Sequence, residues 1–396
     1  MPFPALDGGS QVMHFTTKGL LANDIKVKVL AMNPTRNFIN VDTLPADYLI
    51  KTEFEYVKVD TRIKIFNFII NLFKRESYFI ERFLSVDFKN KIQSILEREQ
   101  FDIIQLEHLY LCKYIETIRK YSNAKIILRP QNIEFIIWER YLLNLKTSLK
   151  KLILRLTVSR LKKYEKGISV QLDGIIVLTK EDAEVYLSFS NKVPIAIVPM
   201  GYDYEKLANY DFHKQYEGEI SFYHLGAMNW LPNIESIKWF FEKVIPLLKQ
   251  KNIEAKISIA GFNMPEEFYN YQSSFVDVHG AINNPLEFQA NKQVMLVPLW
   301  SGSGIRAKII EGLALGKTII STSIGAQGIE YVDGKNILIA DTPELFVSQI
   351  NKCIQNPDLC KTIGSNARDL SVKNYHSNNT AMKMINFYKD VLEINF

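Results

Sequence analysis

The amino-acid sequence predicts an α/β protein of two doubly wound domains facing a central cleft, and three observations predict it. Its 396 residues exceed what one ordinary core organises, at roughly 100–200 residues per domain. Short β-branched runs alternate with amphipathic stretches throughout, the pattern of parallel strands joined by helices. Near mid-chain, Val198-Pro199-Met200-Gly201-Tyr202-Asp203 ends one strand series in a turn, and a polar segment separates it from the next series. The expected domains are 1–203 and 204–375, with a helix over 376–396 packing back towards the first. Ligands in open α/β sheets bind beyond the carboxyl ends of the strands, so function is sought there.

In the first half, strands are expected at Ile25–Met32, Asp102–Leu106, Lys125–Arg129, Gly174–Leu178 and Ile195–Pro199. In the second half they are expected at Ile220–Leu225, Ala255–Ala260, Val276–His279, Val294–Pro298, Thr318–Thr322 and Asn336–Ala340. The clearest helix is Asn233–Lys249, where Ile237, Phe240, Phe241, Val244, Ile245 and Leu248 recur at spacings of three and four. Residues 2–10 read as a loop leading into a helix at Gln11–Ala22, with no strand in front. A misplaced or truncated start is the favoured explanation, and a sheet rearranged to close without that strand is the alternative.

Hydrophobic residues make up 47% and charged residues 23%, the balance of an ordinary globular chain. The formal charge of +5 is too small to imply nucleic-acid binding through charge alone, so any anion site is local. Cys112, Cys353 and Cys360 form no metal-ligand or redox spacing and read as core residues in a reducing compartment. No His/Cys/Asp cluster suggests a metal, and no run approaches the ~20 apolar residues that span a bilayer. A cytoplasmic protein is expected. Two stretches have two readings each: Lys146, Lys150, Lys151, Arg155, Arg160, Lys162, Lys163 and Lys166 among leucines, and Phe66–Phe73 with Lys64, Lys74 and Arg75 around it. Each is either a solvated face on a packed helix or a peripheral contact with anionic lipid at the inner face of the plasma membrane.

The segment from Val294 to Lys317 carries the most chemistry: a buried strand, a Ser/Gly turn, then a helix. The unpaired N–H groups of a helix's first turn attract anions. Gly302 and Gly304 remove β-carbons that would keep a phosphate from the backbone, and Arg306 and Lys308 bring positive charge. Cations at a helix N-terminus oppose its dipole by up to ~1 kcal/mol, so a bound diphosphate is the expected compensation, with two solvated side chains as the alternative. Glu311, two turns into that helix among Ile309, Ile310, Leu313 and Ala314, offers a carboxylate to the two hydroxyls of a ribose, or else a structural salt bridge.

The run from Gly302 to Thr322, with Gly325-Ala326-Gln327-Gly328-Ile329 after it, resembles the donor-site signature of glycosyltransferase family 4. Gly226-Ala227-Met228-Asn229-Trp230-Leu231-Pro232-Asn233 is similar to a segment opening the C-terminal domain in its bacterial surface-polysaccharide branch. Val198–Asp203 resembles the family's interdomain turn, and Leu6-Asp7-Gly8-Gly9 its N-terminal glycine loop. The resemblance implies a GT-B fold of two Rossmann-like domains, the first binding acceptor and the second a nucleotide diphosphate sugar as co-substrate. It implies transfer to a glycan or lipid-linked acceptor with retention of anomeric configuration, with no metal or other cofactor. It assigns Glu311 to the donor ribose and Ser303-Gly304 to the diphosphate; the residues themselves add Arg306 and Lys308 to Glu311 as the catalytic set, and Gly302, Ile305, Gly226, Gly261 and Gly280 to the donor site. Gly8 and Gly9 are assigned to acceptor or sugar.

The chain departs from the family at three places. A second glutamate, eight residues before the first, is replaced by Ser303; the first loop of the C-terminal domain lacks an Arg and a Lys; and a family histidine is replaced by Gln131. Arg306 and Lys308 are expected to take over the phosphate, and Gln131 remains a sugar contact. His108 and Glu107, after a strand, read either as sugar contacts or as packing residues. Gly261 and Gly280 end strands where backbone groups either read a base edge or simply turn the chain. His224 reads as a satisfied core histidine. Two other functions are consistent with these residues: a non-catalytic nucleotide-sugar-binding subunit and a sugar-nucleotide epimerase of the same architecture. A dehydrogenase is disfavoured, because no Gly-x-Gly-x-x-Gly follows a strand.

Overall fold

The structure, a computed structural model, describes residues 1–393 apart from 6–7, 75, 146–147, 191, 209, 213–215, 217 and 302–303, and of 65, 144, 150 and 206 it describes the backbone. Among the described residues twelve strands run in chain order: β1 (Leu30–Pro34), β2 (Glu55–Val59), β3 (Ile103–Leu106), β4 (Lys125–Leu128), β5 (Gly174–Val177), β6 (Ile195–Ile197), β7 (Ser221–Leu225), β8 (Lys256–Ala260), β9 (Val276–Val278), β10 (Val294–Val297), β11 (Thr318–Ser321) and β12 (Leu338–Ile339). Contacts divide the chain into a unit of Met1–Met200 with the chain from Thr380 onward, and a unit of Gly201–Asn379.

In the first unit β1 pairs with β2, and β3-β4-β5-β6 form a four-stranded parallel sheet. β5 is buried along its whole length, and Ile126, Ile127 and Leu128 of β4 exclude solvent, as continuous apolar runs in two-sided sheets do. One apolar layer contains Phe88, Ile92, Ile115, Leu161 and Tyr186. The other combines Leu20, Ile127, Ile176 and Val198 with Met384, Phe387, Tyr388 and Val391 of the helix Ser377–Leu392. Gly174 leaves room for that helix: a β-carbon there would stand 3.0 Å from Phe387.

The second unit holds one six-stranded parallel sheet in the order β12-β11-β10-β7-β8-β9. The chain builds outward from β7 through β8 to β9, then returns to the other side of β7 as β10. The strand order therefore reverses between β7 and β10, which is where doubly wound sheets open a crevice at their carboxyl edge. Phe222, Ile237, Phe240, Phe241, Phe268 and Phe346 belong to its core.

Several sequence expectations are corrected. The expected strand Ile25–Met32 starts at Leu30, because the preceding helix closes with Asp24 at φ 59° and Ile25 N–H still donates to Leu20 O at 3.1 Å. That helix spans Gly8–Leu21, so Gly8 and Gly9 form its first turn rather than a loop. The strand expected over Asn336–Ala340 shrinks to Leu338–Ile339, since Asn336 Oδ1 accepts from Val332 N–H and Asp333 Oδ1 from Ile339 N–H, holding the approach as a turn. The helix expected over Asn233–Lys249 runs from Leu231 to Gln250 and widens into a π turn at Phe240–Val244. Pro246 has no N–H for the carbonyl four residues back, so the register slips by one.

Candidate functional site

At the reversal point the carboxyl ends of β7 and β10 are joined by a side chain. His224 Nδ1 lies 2.8 Å from Leu296 O. A carbonyl only accepts, so Nδ1 carries the proton and the Nε2 lone pair faces the Lys308 ammonium at 3.5 Å. Burial first, and then the Lys308 charge, hold the imidazole neutral far below its ordinary range. His224 is thus satisfied in the core and also supports a cation.

Lys308 is the second residue of the helix Ala307–Ala314. Its Nζ donates to Asn233 Oδ1 at 2.9 Å, while Asn233 Nδ2 donates to Ala227 O at 2.8 Å. One asparagine therefore folds the Gly226–Asn233 segment back on itself and fixes the lysine. Burial, with Arg306 adding to it, pushes the Lys308 ammonium down to about 7. Among the described residues no carboxylate pairs with it. Gly226 makes this approach possible, since a β-carbon there would stand 2.6 Å from Lys308 Nζ. Gly261 supports Gly226 in turn, because a β-carbon at 261 would stand 1.9 Å from Gly226 O.

The loop between β10 and this helix is anchored on both sides. Ser301 Oγ donates to Glu235 Oε2 at 3.1 Å, and the Trp300 ring lies 4.8 Å from that of Trp239. Gly304 has φ 73°, a conformation that favours glycine. Arg306 is the helix N-cap rather than a first-turn residue; its buried guanidinium donates through Nη1 to Gly304 O at 2.6 Å and stands 6.0 Å from the Trp230 ring. Ile305 is half-buried, and the expected diphosphate residues Gly302 and Ser303 lie outside the described residues.

Glu311 follows three residues after Lys308 on the same helix, close to one turn. It is half-buried, and its Oε1 accepts from Gln289 Nε2 at 3.4 Å. Gln289 is fully buried, and its Oε1 accepts from Tyr223 OH at 3.0 Å. The base-edge reading of Gly261 and Gly280 is narrowed: Gly261 N–H donates to Gly280 O at 3.1 Å, and the neighbouring Gly226 N–H donates to Ala260 O at 3.0 Å. Neither amide is available to a base edge, because the loops beyond β7, β8 and β9 continue the sheet's ladder.

In the first unit a second polar group closes around Glu107, which accepts from Gln105 Nε2 at 2.6 Å and Gln131 Nε2 at 2.9 Å. Burial raises its carboxyl pKa, opposed chiefly by Arg129. Arg129 is 1% exposed, stands 3.7 Å from Glu107 and also donates to Thr16 Oγ1 on the first helix. Tyr388 OH donates to Gln105 Oε1 at 2.6 Å. Gln131 thus holds Glu107. His108 stacks on Tyr110 at 4.9 Å. Gly8 and Gly9 lie two turns before Thr16 on the same helix. Among the described residues no group of His, Cys, Asp and Glu has the makings of a metal site, and no helix is long and apolar enough to cross a membrane.

Sequence reasoning selected Lys308 and Glu311 but missed what holds them. Asn233 closes the Gly226–Asn233 segment and so had a signal; Gln289 had none.

Residues 219–356 match a family model described as Glycosyl transferases group 1. An uncharacterized 44.6 kDa protein in the cps region of Klebsiella pneumoniae is 22% identical over 307 residues, covering 74% of this chain and 76% of that protein. Among solved structures, the sucrose-phosphate synthase of Thermosynechococcus elongatus superposes with a TM-score of 0.68 at 15% identity, over 98% of this chain and 94% of that one. Anabaena Alr3699/HepE in complex with UDP-glucose gives 0.64 at 10% identity, over 98% and 97%. TarM gives 0.57 at 16% identity over 76% of this chain, which spans only 58% of TarM. The protein thus has the GT-B fold of two Rossmann-like units, and residues 219–356 of its second unit are similar to glycosyl transferases group 1.

Proposed function

We propose that this protein is a retaining glycosyltransferase of family 4 that moves a sugar, a hexosyl group in the first instance, from a nucleotide diphosphate sugar to a glycan or lipid-linked acceptor in cell-surface polysaccharide synthesis. The observation that carries the reading is the constellation at the carboxyl edge of the second unit's sheet. Lys308 is a cation held by the neutral acceptors Asn233 and His224, and Glu311 follows on the same helix. A diphosphate is the dianion such a cation requires, and a nucleoside diphosphate presents the ribose hydroxyls that Glu311 accepts from. The domain match over 219–356 covers this constellation, and a relative named for a cps region supports the polysaccharide setting.

In the reaction the bond between the sugar's anomeric carbon and the diphosphate breaks, the acceptor oxygen bonds to that carbon, and the leaving diphosphate takes the acceptor's proton. Charge accumulates on the diphosphate oxygens, where Lys308, Arg306 and the start of the helix Ala307–Ala314 stabilise it without a metal. Asn233 and His224 keep the Lys308 ammonium in place as this charge develops. The first unit is assigned to the acceptor, with His108 and Gln131 as contacts, and the protein to the cytoplasm with a peripheral membrane contact. Replacement of Glu311 by Ala tests the reading. Each hydrogen bond to a charged acceptor contributes roughly 1.5–3 kcal/mol, so transfer efficiency falls by at least ~10-fold while thermal unfolding is retained. Unchanged transfer by a folded Glu311→Ala protein overturns the assignment. Donor binding without turnover over a panel of acceptors favours a non-catalytic nucleotide-sugar-binding subunit instead.

A further inference from the structure

The helix Ile65–Leu72 in the first unit is amphipathic in the inverse sense: its apolar stripe faces outward. Ile63, Phe66, Ile69, Ile70 and Phe73 are 65%, 74%, 50%, 42% and 89% exposed. At 100° per residue Phe66, Ile69, Ile70 and the C-cap Phe73 fall within one face about 100° wide, and Ile63 is exposed just before the helix. The opposite face is the packed one, with Asn71 buried and the Phe68 ring 5.4 Å from that of Tyr78. Soluble surfaces scatter such side chains singly; a contiguous stripe of them marks a contact.

A second helix, Leu149–Ser169, adjoins the first. Its Arg160 donates through Nη1 to Asn71 O at 3.0 Å and through Nη2 to Leu72 O at 2.9 Å, capping the first helix. One turn before Arg160 and further back on this helix, Leu156, Leu152 and Leu149 are 47%, 65% and 73% exposed. Arg155, Lys163 and Lys166 lie on its exposed surface, and its sole acidic residue, Glu165, is buried beneath Tyr186. Among the described residues no carboxylate pairs with Arg155, Lys163 or Lys166.

We propose that these two helices form a docking surface for an anionic lipid bilayer, the outward apolar stripe entering the headgroup boundary and the lysines and arginines meeting lipid phosphates. The charge pattern selects the occupant. Exposed leucines and phenylalanines interleaved with cations, without exposed acids along the second helix, complement a surface that is apolar inside and negative outside. A second copy of the chain would bring the same cations against one another. The surface lies in the first unit and its test does not depend on the glycosyl transfer reading, since it measures vesicle binding.

The experiment is flotation of the full chain with vesicles of phosphatidylcholine alone and with phosphatidylglycerol added, at low and high salt. The wild type is expected to float with the anionic vesicles and to be released by salt. Phe66→Ser/Phe73→Ser is expected to weaken binding at least ~10-fold, from the apolar area each ring buries. Arg155→Glu and Lys163→Glu are each expected to weaken it about fivefold or more. Circular dichroism and thermal unfolding establish that each variant is folded. Failure of the wild type to bind anionic vesicles overturns the proposal, as does binding that the variants leave unchanged. A concentration-dependent dimer that the Phe66/Phe73 substitutions dissociate, without vesicle binding, assigns the surface to self-association instead.

Discussion

Two lysines of the second unit, nine positions apart in sequence, sit at opposite edges of the same sheet and are held in opposite ways. Lys317, just before β11 at the amino edge, is fully buried and donates to Tyr210 OH, Gln289 O and Lys292 O, each at 2.7 Å. An amino group has no further geometry to fill once three acceptors surround it. Burial, with Lys292 adding to it, pushes the Lys317 ammonium down to about 6, and with its three acceptors in place the side chain serves as packing. Lys308, at the carboxyl edge, has Asn233 at 2.9 Å and His224 at the longer distance of 3.5 Å. Burial places its pKa near the working pH, at about 7. The same residue type thus becomes a finished, fully buried structural lysine at one edge and, half-buried at the edge where the strand order reverses, a cation that an anionic ligand completes.

Two substitutions test this contrast, and the largest effect is expected at the amino edge. Lys317→Met strips the donor from two buried carbonyls and a tyrosine hydroxyl. At ~1–3 kcal/mol for each unsatisfied buried group, urea unfolding should show a loss of about 3 kcal/mol or more, with donor affinity of the folded protein unchanged. Lys308→Met is expected to do the reverse. Nucleotide-sugar affinity measured by calorimetry should fall by ~10–100-fold, from the loss of one or more charge-assisted bonds, and the urea midpoint should move less than for Lys317→Met. If both substitutions act mainly on stability, the two edges are alike and the contrast is lost.

What the sequence made legible follows from which forces have a one-dimensional signature. β10 and β11 are buried on both faces, so Val294–Val297 reads as a strand from apolar continuity and Thr318–Ser321 from its β-branched Thr-Ile-Ile run. The turn to the helix was visible in its glycines and the cation in the residue type of Lys308. The supports were harder to read because they are side-chain hydrogen bonds between distant segments. Asn233 and Lys308 meet across 75 positions, and Tyr223 and Gln289 across 66, with no periodicity announcing either pair. The shift of the first strand had a local cause, the left-handed Asp24 at a helix end, which hydrophobic patterning does not register. Gln131 read as a sugar contact standing where the family has a histidine; in the fold it donates to Glu107.

The most direct test of the anion site is proton uptake on donor binding. A thermal-shift screen of UDP-, GDP-, ADP- and dTDP-sugars selects the donor, and calorimetry at pH 8 in buffers of different ionisation enthalpy counts the protons. Lys308 in the free protein titrates at about 7 and is mostly neutral at pH 8, while a bound diphosphate raises its pKa. Binding should therefore take up close to one proton, with affinity full below pH 7 and falling as pH rises through it, and Lys308→Met should abolish the uptake. Binding with no proton uptake, or with the same uptake in Lys308→Met, contradicts the placement of the diphosphate against Lys308.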